Sequence, residues 1–122
     1  MKLLLIVIAA YQGANGALML TAPEFWYGLA PGADHTGPMN IHFIRDIGLA
    51  FLASAAALFV AARTGSRTVL VPALVFLGGH ALLHLAEMAV HGTTLTTALR
   101  DIALIVIPAF LPLAALRGRA TI

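Results

Sequence analysis

The sequence contains no cysteine, which excludes disulfide bonds, thiolate catalysis, CxxC redox chemistry and cysteine-ligated iron–sulfur clusters. It is also poor in charge. Asp, Glu, Lys and Arg together make up 10% of the 122 residues, whereas a soluble domain carries about a quarter. The seven Lys and Arg lie at the ends of apolar segments rather than in one patch, so the composition indicates no nucleic-acid partner.

Apolar residues are what the chain has in excess. They make up 61% of it, more than one small domain can bury in its own core, so lipid must solvate the remainder. The hydropathy pattern predicts four membrane spans at about 3–20, 40–62, 69–91 and 95–116. We therefore predict an all-α fold, a four-helix transmembrane bundle, in which residues 1–122 form a single integral membrane domain.

The first span begins in a way that also resembles a signal peptide, with Lys2 followed by LLLIVIAA. The apolar stretch continues through Leu20 without a small-residue cleavage site, so we expect the segment to be retained as a helix. The alternative, a cleaved first segment, would leave three spans.

The segments between the spans carry typical turn and cap signals. Residues 21–39 contain three glycines and three prolines and cannot form one helix. Within them, Pro23 can begin one interfacial turn that places Trp26 and Tyr27 at headgroup depth. Thr93 and Thr94 are candidate N-caps of the fourth span. Inside that span, Pro108 and Pro112 are expected to kink the helix by removing backbone donors.

Small residues predict where the helices approach one another closely. In span one, Gly13 and Gly16 accompany the amides Gln12 and Asn15, a combination typical of helix–helix contacts in membranes. A ligand role for the two amides is the less favoured alternative. In span two, a stripe of small residues recurs at helical spacing, formed by Ala50, Ser54, Ala57 and Ala61.

Basic residues predict the orientation in the membrane. Lys2, Arg63, Arg67, Arg117 and Arg119 all fall on one side of a four-span topology, and the loops of the other side hold no Lys or Arg. By the positive-inside rule, both termini are expected to be cytoplasmic. The tripeptide Arg-Asp-Ile occurs at 45–47 and again at 100–102. It reflects either a parallel two-helix repeat or a chance match.

The stretch Gly78–Gly92 carries the most concentrated chemistry. His80, His84, Glu87 and His91 follow one another at +4, +3 and +4, which places all four on one narrow face of a helix. Ionisable groups at membrane depth usually point into a bundle or a water-filled cavity. This face is therefore the leading candidate for a functional site.

Other ionisable residues are predicted at the same depth. Counted along helices from the cytoplasmic side, Arg45, His84, Glu87 and Arg100 lie at roughly 22–27 Å. Opposite charges at one level predict a mutual network, since an unpaired buried charge is costly. A network that only holds the bundle together is the competing interpretation. The predicted ligand-binding set is His42, Arg45, Asp46, His80, His84, Glu87, Arg100 and Asp101.

Three kinds of chemistry remain open for this set. His80, His84 and Glu87 could coordinate a metal, with His42 or Asp46 as a further ligand. Haem could be held by axial His42 and His84 from facing helices. Proton transfer or quinone binding is the third use, because His, Glu and Asp side chains inside membranes can titrate near neutrality. The residues alone do not choose a cofactor.

The motif His42-x-x-Arg45-Asp46-x-Gly48, with His80-x-x-x-His84 on the next helix, resembles the small four-helix bacterial membrane proteins of the DoxX-like group. The similarity covers nearly the whole chain through short motifs. It implies a multi-pass protein of the bacterial inner (plasma) membrane, associated with quinone-linked redox enzymes.

Two functions from different classes follow as expectations. In the first, the polar cluster in the outer leaflet binds a small molecule, a quinone-like headgroup or a metal, and the protein is a redox accessory. In the second, the chain is a structural or assembly subunit without a ligand, docked on a membrane-protein partner or a second copy of itself. Independent enzymatic activity is a third, weaker hypothesis.

Overall fold

A computed structural model describes residues 1–117, which contain helices and turns and no strand. The helices are α1 (Lys2–Thr21), α2 (Pro23–Leu29), α3 (Ile41–Thr64), α4 (Leu70–His91) and α5 (Leu95–Arg117). The basic tail predicted at Gly118 and Arg119 lies outside the described residues.

Four of these helices, α1, α3, α4 and α5, are long and apolar enough to cross a membrane. Their bounds agree with the four predicted spans to within two residues. Many large apolar side chains lie on the outside of the bundle, Leu3, Val75 and Val90 among them, each more than two-thirds exposed. The fold is therefore that of a multi-pass membrane protein whose outer surface suits lipid.

Caps explain where the long helices begin and end. Asn40 accepts a hydrogen bond from the backbone N–H of Phe43 at 3.0 Å and starts α3, and Gly65, at φ +74°, ends it. Thr94 accepts from the N–H of Thr97 at the start of α5, which confirms the predicted N-cap. The other candidate, Thr93, does not cap the helix; its hydroxyl donates to the carbonyl of Thr94.

The predicted helical turn is confirmed as α2, with Pro23 as its first residue, and the headgroup depth of Trp26 and Tyr27 stays a prediction. The indole N–H of Trp26 donates to the side-chain oxygen of Asn15 at 2.9 Å, and the hydroxyl of Tyr27 donates to the carbonyl of Gly37 at 2.9 Å. Asn15 therefore anchors α2 on α1.

Helices α1 and α3 are packed backbone to backbone at Gly16 and Gly48. A Cβ atom added to Gly16 would lie 2.6 Å from the carbonyl oxygen of Gly48. The predicted role of Gly16 is confirmed. Its partner lies outside the predicted stripe, in which Ser54 donates its hydroxyl to the carbonyl of Ala50 in its own helix.

Helix α5 contains two irregular turns, one that ends two residues before Pro108 and one that includes Pro112. Residues Ile102–Val106 form a π-helical turn, and residues Leu111–Leu113, which include Pro112, form a 3₁₀ turn. Pro108 has no N–H for the carbonyl of Leu104, four residues earlier, and the hydroxyl of Tyr11 donates to that carbonyl at 2.8 Å instead. The predicted loss of backbone donors thus distorts the helix, and α1 supplies one replacement.

The bundle has two distinct ends. We call the end with residues 22–40 and 92–94 the loop end, and the end with residues 65–69 the turn end. Leu58, Leu77 and Ala81, each at most 1% exposed, belong to the core between them. The polar clusters described next lie toward the loop end.

Candidate functional site

The site is built on a single buried carboxylate, that of Asp101 in α5. Its Oδ1 accepts two hydrogen bonds from Arg100, from Nε at 3.0 Å and from Nη2 at 2.8 Å. Its Oδ2 lies 3.3 Å from Nδ1 of His84 in α4. We call His84, Arg100 and Asp101 the Asp101 cluster. It joins α4 to α5, and the arginine neutralises the carboxylate where water is scarce.

Exposure differs sharply within the Asp101 cluster. The Asp101 side chain is 11% exposed, whereas those of His84 and Arg100 are 28% and 31% exposed. The Asp101 carboxylate is therefore largely shielded from the surroundings, which is costly for a charge without partners. Its two donors, His84 and Arg100, remain accessible from outside the bundle. A ligand could contact His84 and Arg100 without displacing Asp101.

The hydrogen bond to Asp101 determines which nitrogen of His84 carries the proton. A carboxylate only accepts, so the bond requires a proton on Nδ1. Nε2 of the neutral ring is then an acceptor, and it has no hydrogen-bond partner among residues 1–117. A carboxylate that orients an imidazole and leaves its other nitrogen free is the usual arrangement for ligand binding and for acid–base chemistry.

His80 lies next to the Asp101 cluster in aromatic surroundings. Its ring centroid is 4.8 Å from that of His84, 5.5 Å from that of Phe51 and 6.1 Å from that of Phe76. Phe76 precedes His80 by one helical turn, so spacing could have indicated it. Phe51 comes from α3, and no signal in the sequence pairs it with His80.

Two irregular backbone segments, a π-helical turn and a loop glycine with positive φ, adjoin the Asp101 cluster. Asp101 is the last residue before the π-helical turn, a feature found frequently at functional sites. From the loop, Gly32 adopts φ +82°, and a Cβ atom there would lie 3.3 Å from Nη2 of Arg100. The loop backbone therefore covers part of the guanidinium.

The other predicted residues lie elsewhere. His42 Nε2 is 3.3 Å from Asp46 Oδ2, and these two side chains are 89% and 56% exposed. Nε of Arg45 donates to the carbonyl of Leu20 at 3.1 Å. Within the described residues, neither an ion pair nor a hydrogen bond links these three to the Asp101 cluster. The expected single network is therefore divided into three parts: the Asp101 cluster, the His42–Asp46 pair, and Arg45, whose side chain bonds to the backbone of α1.

Glu87 and His91 are exposed and belong neither to the Asp101 cluster nor to the His42–Asp46 pair. Across residues 1–117, no three His, Asp or Glu side chains lie close enough together to hold a metal ion. The geometry gives no support to a metal at His80, His84 and Glu87. Haem ligation by His42 and His84 stays a prediction.

Comparison with family models, with curated proteins and with solved structures finds no match to this chain. The DoxX-like resemblance stays a prediction from short motifs.

Proposed function

We propose that this protein binds a lipophilic ligand with an oxygen-bearing ring, of the quinone and quinol class, and presents it to a redox partner in the membrane. The observation that carries the proposal is the pairing of His84 with Asp101, which leaves Nε2 of a partly exposed imidazole free. DoxX-like resemblance supports the same ligand class.

The ligand class follows from the donor and acceptor atoms. A neutral His84 accepts a hydrogen bond from a quinol hydroxyl through Nε2, and a protonated His84 donates one to a quinone carbonyl. Arg100 offers further N–H groups beside it. His80 and His84 present ring faces and edges suited to an aromatic headgroup.

A structural subunit is the second candidate function, and the pairing of Arg100 with Asp101 favours it. The Asp101 carboxylate accepts from Arg100 in α5 and lies against His84 in α4, so the polar group by itself joins two helices. Buried polar groups can serve specificity of packing alone. The two functions differ in one measurable respect, which is whether the folded protein binds a quinol.

His84→Ala is expected to weaken binding of a short-chain ubiquinol by about tenfold or more, because a hydrogen bond of about 1.4 kcal/mol is lost. The measurement is calorimetric titration of detergent-solubilised protein under nitrogen. His91→Ala is the matched control, since it removes an exposed histidine from the same helix. We expect it to bind like the parent.

Gel filtration and helical circular dichroism must show that both variants remain folded. Equal ubiquinol affinity of the parent and of His84→Ala would contradict the binding proposal. A parent that binds neither ubiquinol nor ubiquinone would leave the structural subunit as the better description.

We further propose that the loop end faces the outside of a bacterial inner membrane and that both termini are cytoplasmic. The charge distribution supports this orientation, because Lys2, Arg63 and Arg67 lie near the turn end and residues 22–40 carry no Lys or Arg. The Asp101 cluster would then lie in the outer leaflet.

Cysteine scanning tests this orientation without background, since the chain has no native cysteine. Asp34→Cys, at an exposed loop-end position, should react with an impermeant maleimide added to intact cells. Thr68→Cys, exposed at the turn end, should react only after the cells are opened. The reverse pattern would place both termini outside.

A further inference from the structure

A basic cleft of about 370 Å³ opens at the turn end, far along the bundle from the Asp101 cluster. Its volume lies within the range of about 300–1,000 Å³ typical of small-molecule sites. It lies between the first turn of α1, the last turn of α3 and the start of α4. The residues around it include Lys2, Arg63, Thr64, Ser66 and Arg67.

The polar part of the cleft carries charge of one sign. Three cationic residues, Lys2, Arg63 and Arg67, contribute to the lining, and the described lining includes no Asp or Glu. Across residues 1–117, no carboxylate lies within 4.0 Å of any of the three cationic groups. Three basic groups gathered without an acidic partner favour an anionic ligand.

The floor of the cleft is apolar. Leu5, Ala61, Ala62 and Leu70 line it, and each is at most 4% exposed. A soluble anion would gain nothing from such a floor, whereas a molecule with a charged head and a hydrocarbon chain would cover both parts.

The turn between α3 and α4 creates this arrangement. Gly65, at φ +74°, ends α3 and reverses the chain, so that Arg63 and Arg67 lie on the two sides of the turn. The hydroxyl of Thr64 donates to the carbonyl of Val60 and accepts from the N–H of Ser66 at 3.2 Å. These bonds fix the shape of the turn, and Lys2, the first residue of α1, lines the same cleft.

We propose that this cleft binds the headgroup phosphate of an anionic phospholipid, with the three basic side chains on the phosphate and an acyl chain against the apolar floor. Basic pockets between transmembrane helices at a membrane surface are suited to such headgroups. The inference depends only on the membrane-spanning fold and is independent of the quinol proposal.

A second cleft at the same end, of about 380 Å³, provides the comparison. Arg117 is its one cationic lining residue, and the other described residues around it are apolar. It therefore lacks the cluster of basic groups, and we expect no preference for anionic lipid there. Arg63 and Arg117 carry the same charge and lie at the same end of the bundle, but they line different clefts.

Native mass spectrometry of the detergent-solubilised protein tests the proposal with dioleoylphosphatidylglycerol and dioleoylphosphatidylcholine as probes. The anionic lipid should bind more tightly. Arg63→Gln should weaken its binding about fivefold, the effect of one basic residue near a membrane surface. Arg117→Gln should bind like the parent, and Arg63→Lys should retain most of the affinity. Circular dichroism confirms that each variant is folded.

Three results would overturn the proposal. Equal affinity for the two lipids would show that charge does not select the ligand. An equal loss in Arg63→Gln and Arg117→Gln would show general surface attraction in place of a site. Displacement of the phosphatidylglycerol by inorganic phosphate or glycerol 3-phosphate would identify a soluble phosphate as the ligand.

Discussion

Asp101→Ala is expected to lower the free energy of unfolding by about 3–5 kcal/mol, because it leaves a partly desolvated guanidinium without its counter-charge. Both donors of Arg100 that reach Asp101 end on one oxygen, Oδ1. The same substitution removes the partner of His84 Nδ1, so the link between α4 and α5 at the loop end is lost as well.

Equilibrium unfolding in mixed detergent micelles is the measurement, with Asp46→Ala as the matched control. Asp46 follows Arg45 in the other Arg-Asp-Ile tripeptide, but its side chain is 56% exposed. Removing it should change stability by at most about 1 kcal/mol. Asp101→Asn should be intermediate, since the amide oxygen can still accept from Arg100, but the amide carries no charge and presents its NH₂ group to Nδ1 of His84. Equal stability of Asp101→Ala and Asp46→Ala would show that Asp101 is well solvated.

Gly16→Ala is expected to destabilise the bundle by about 2–3 kcal/mol, because the added methyl group meets the backbone of α3 and the Cβ of Phe51, and none of these is the far end of a flexible side chain. Besides the Gly48 carbonyl at 2.6 Å, the new Cβ would lie 3.0 Å from the backbone nitrogen of Leu52. The two helices can relieve the clash only by separating, which loosens the buried contacts along the whole α1–α3 interface.

Gly79→Ala is the matched control for this prediction. Gly79 lies inside α4, and no atom lies within 4 Å of a Cβ built there, outside its own helix backbone and neighbours. Alanine should therefore stabilise the helix by up to about 1 kcal/mol through its higher propensity. Thermal unfolding of the two variants should give shifts of opposite sign. Two shifts of the same sign would contradict the backbone contact between Gly16 and Gly48.

The proposals assign different chemistry to the two ends of one small bundle. At the loop end, a buried carboxylate orients the histidine that we propose binds a quinone or quinol. At the turn end, three basic residues around an apolar floor suit a lipid phosphate. The two tests use different probes and different variants, so each can fail without affecting the other.

Local features of the sequence were sufficient to predict the elements. Apolar runs long enough for a bilayer located all four spans, and Pro23 and Thr94 located helix starts, because these signals act within a few residues of the chain. The distortion of the helix near Pro108 could likewise be predicted, since the missing N–H is a property of the proline itself. The sequence also indicated the closeness of Gly16 to another helix, since only the smallest residue permits that approach.

Tertiary structure alone decided which side chains meet. Helical spacing predicts which residues share a face, but not how each helix is rotated against its neighbours. The two Arg-Asp-Ile tripeptides show the consequence. Asp101 faces His84 across the bundle, whereas Asp46 lies on an exposed face beside His42, one turn away in its own helix. Depth along a helix follows from counting residues, but orientation around its axis depends on the packing of every helix at once.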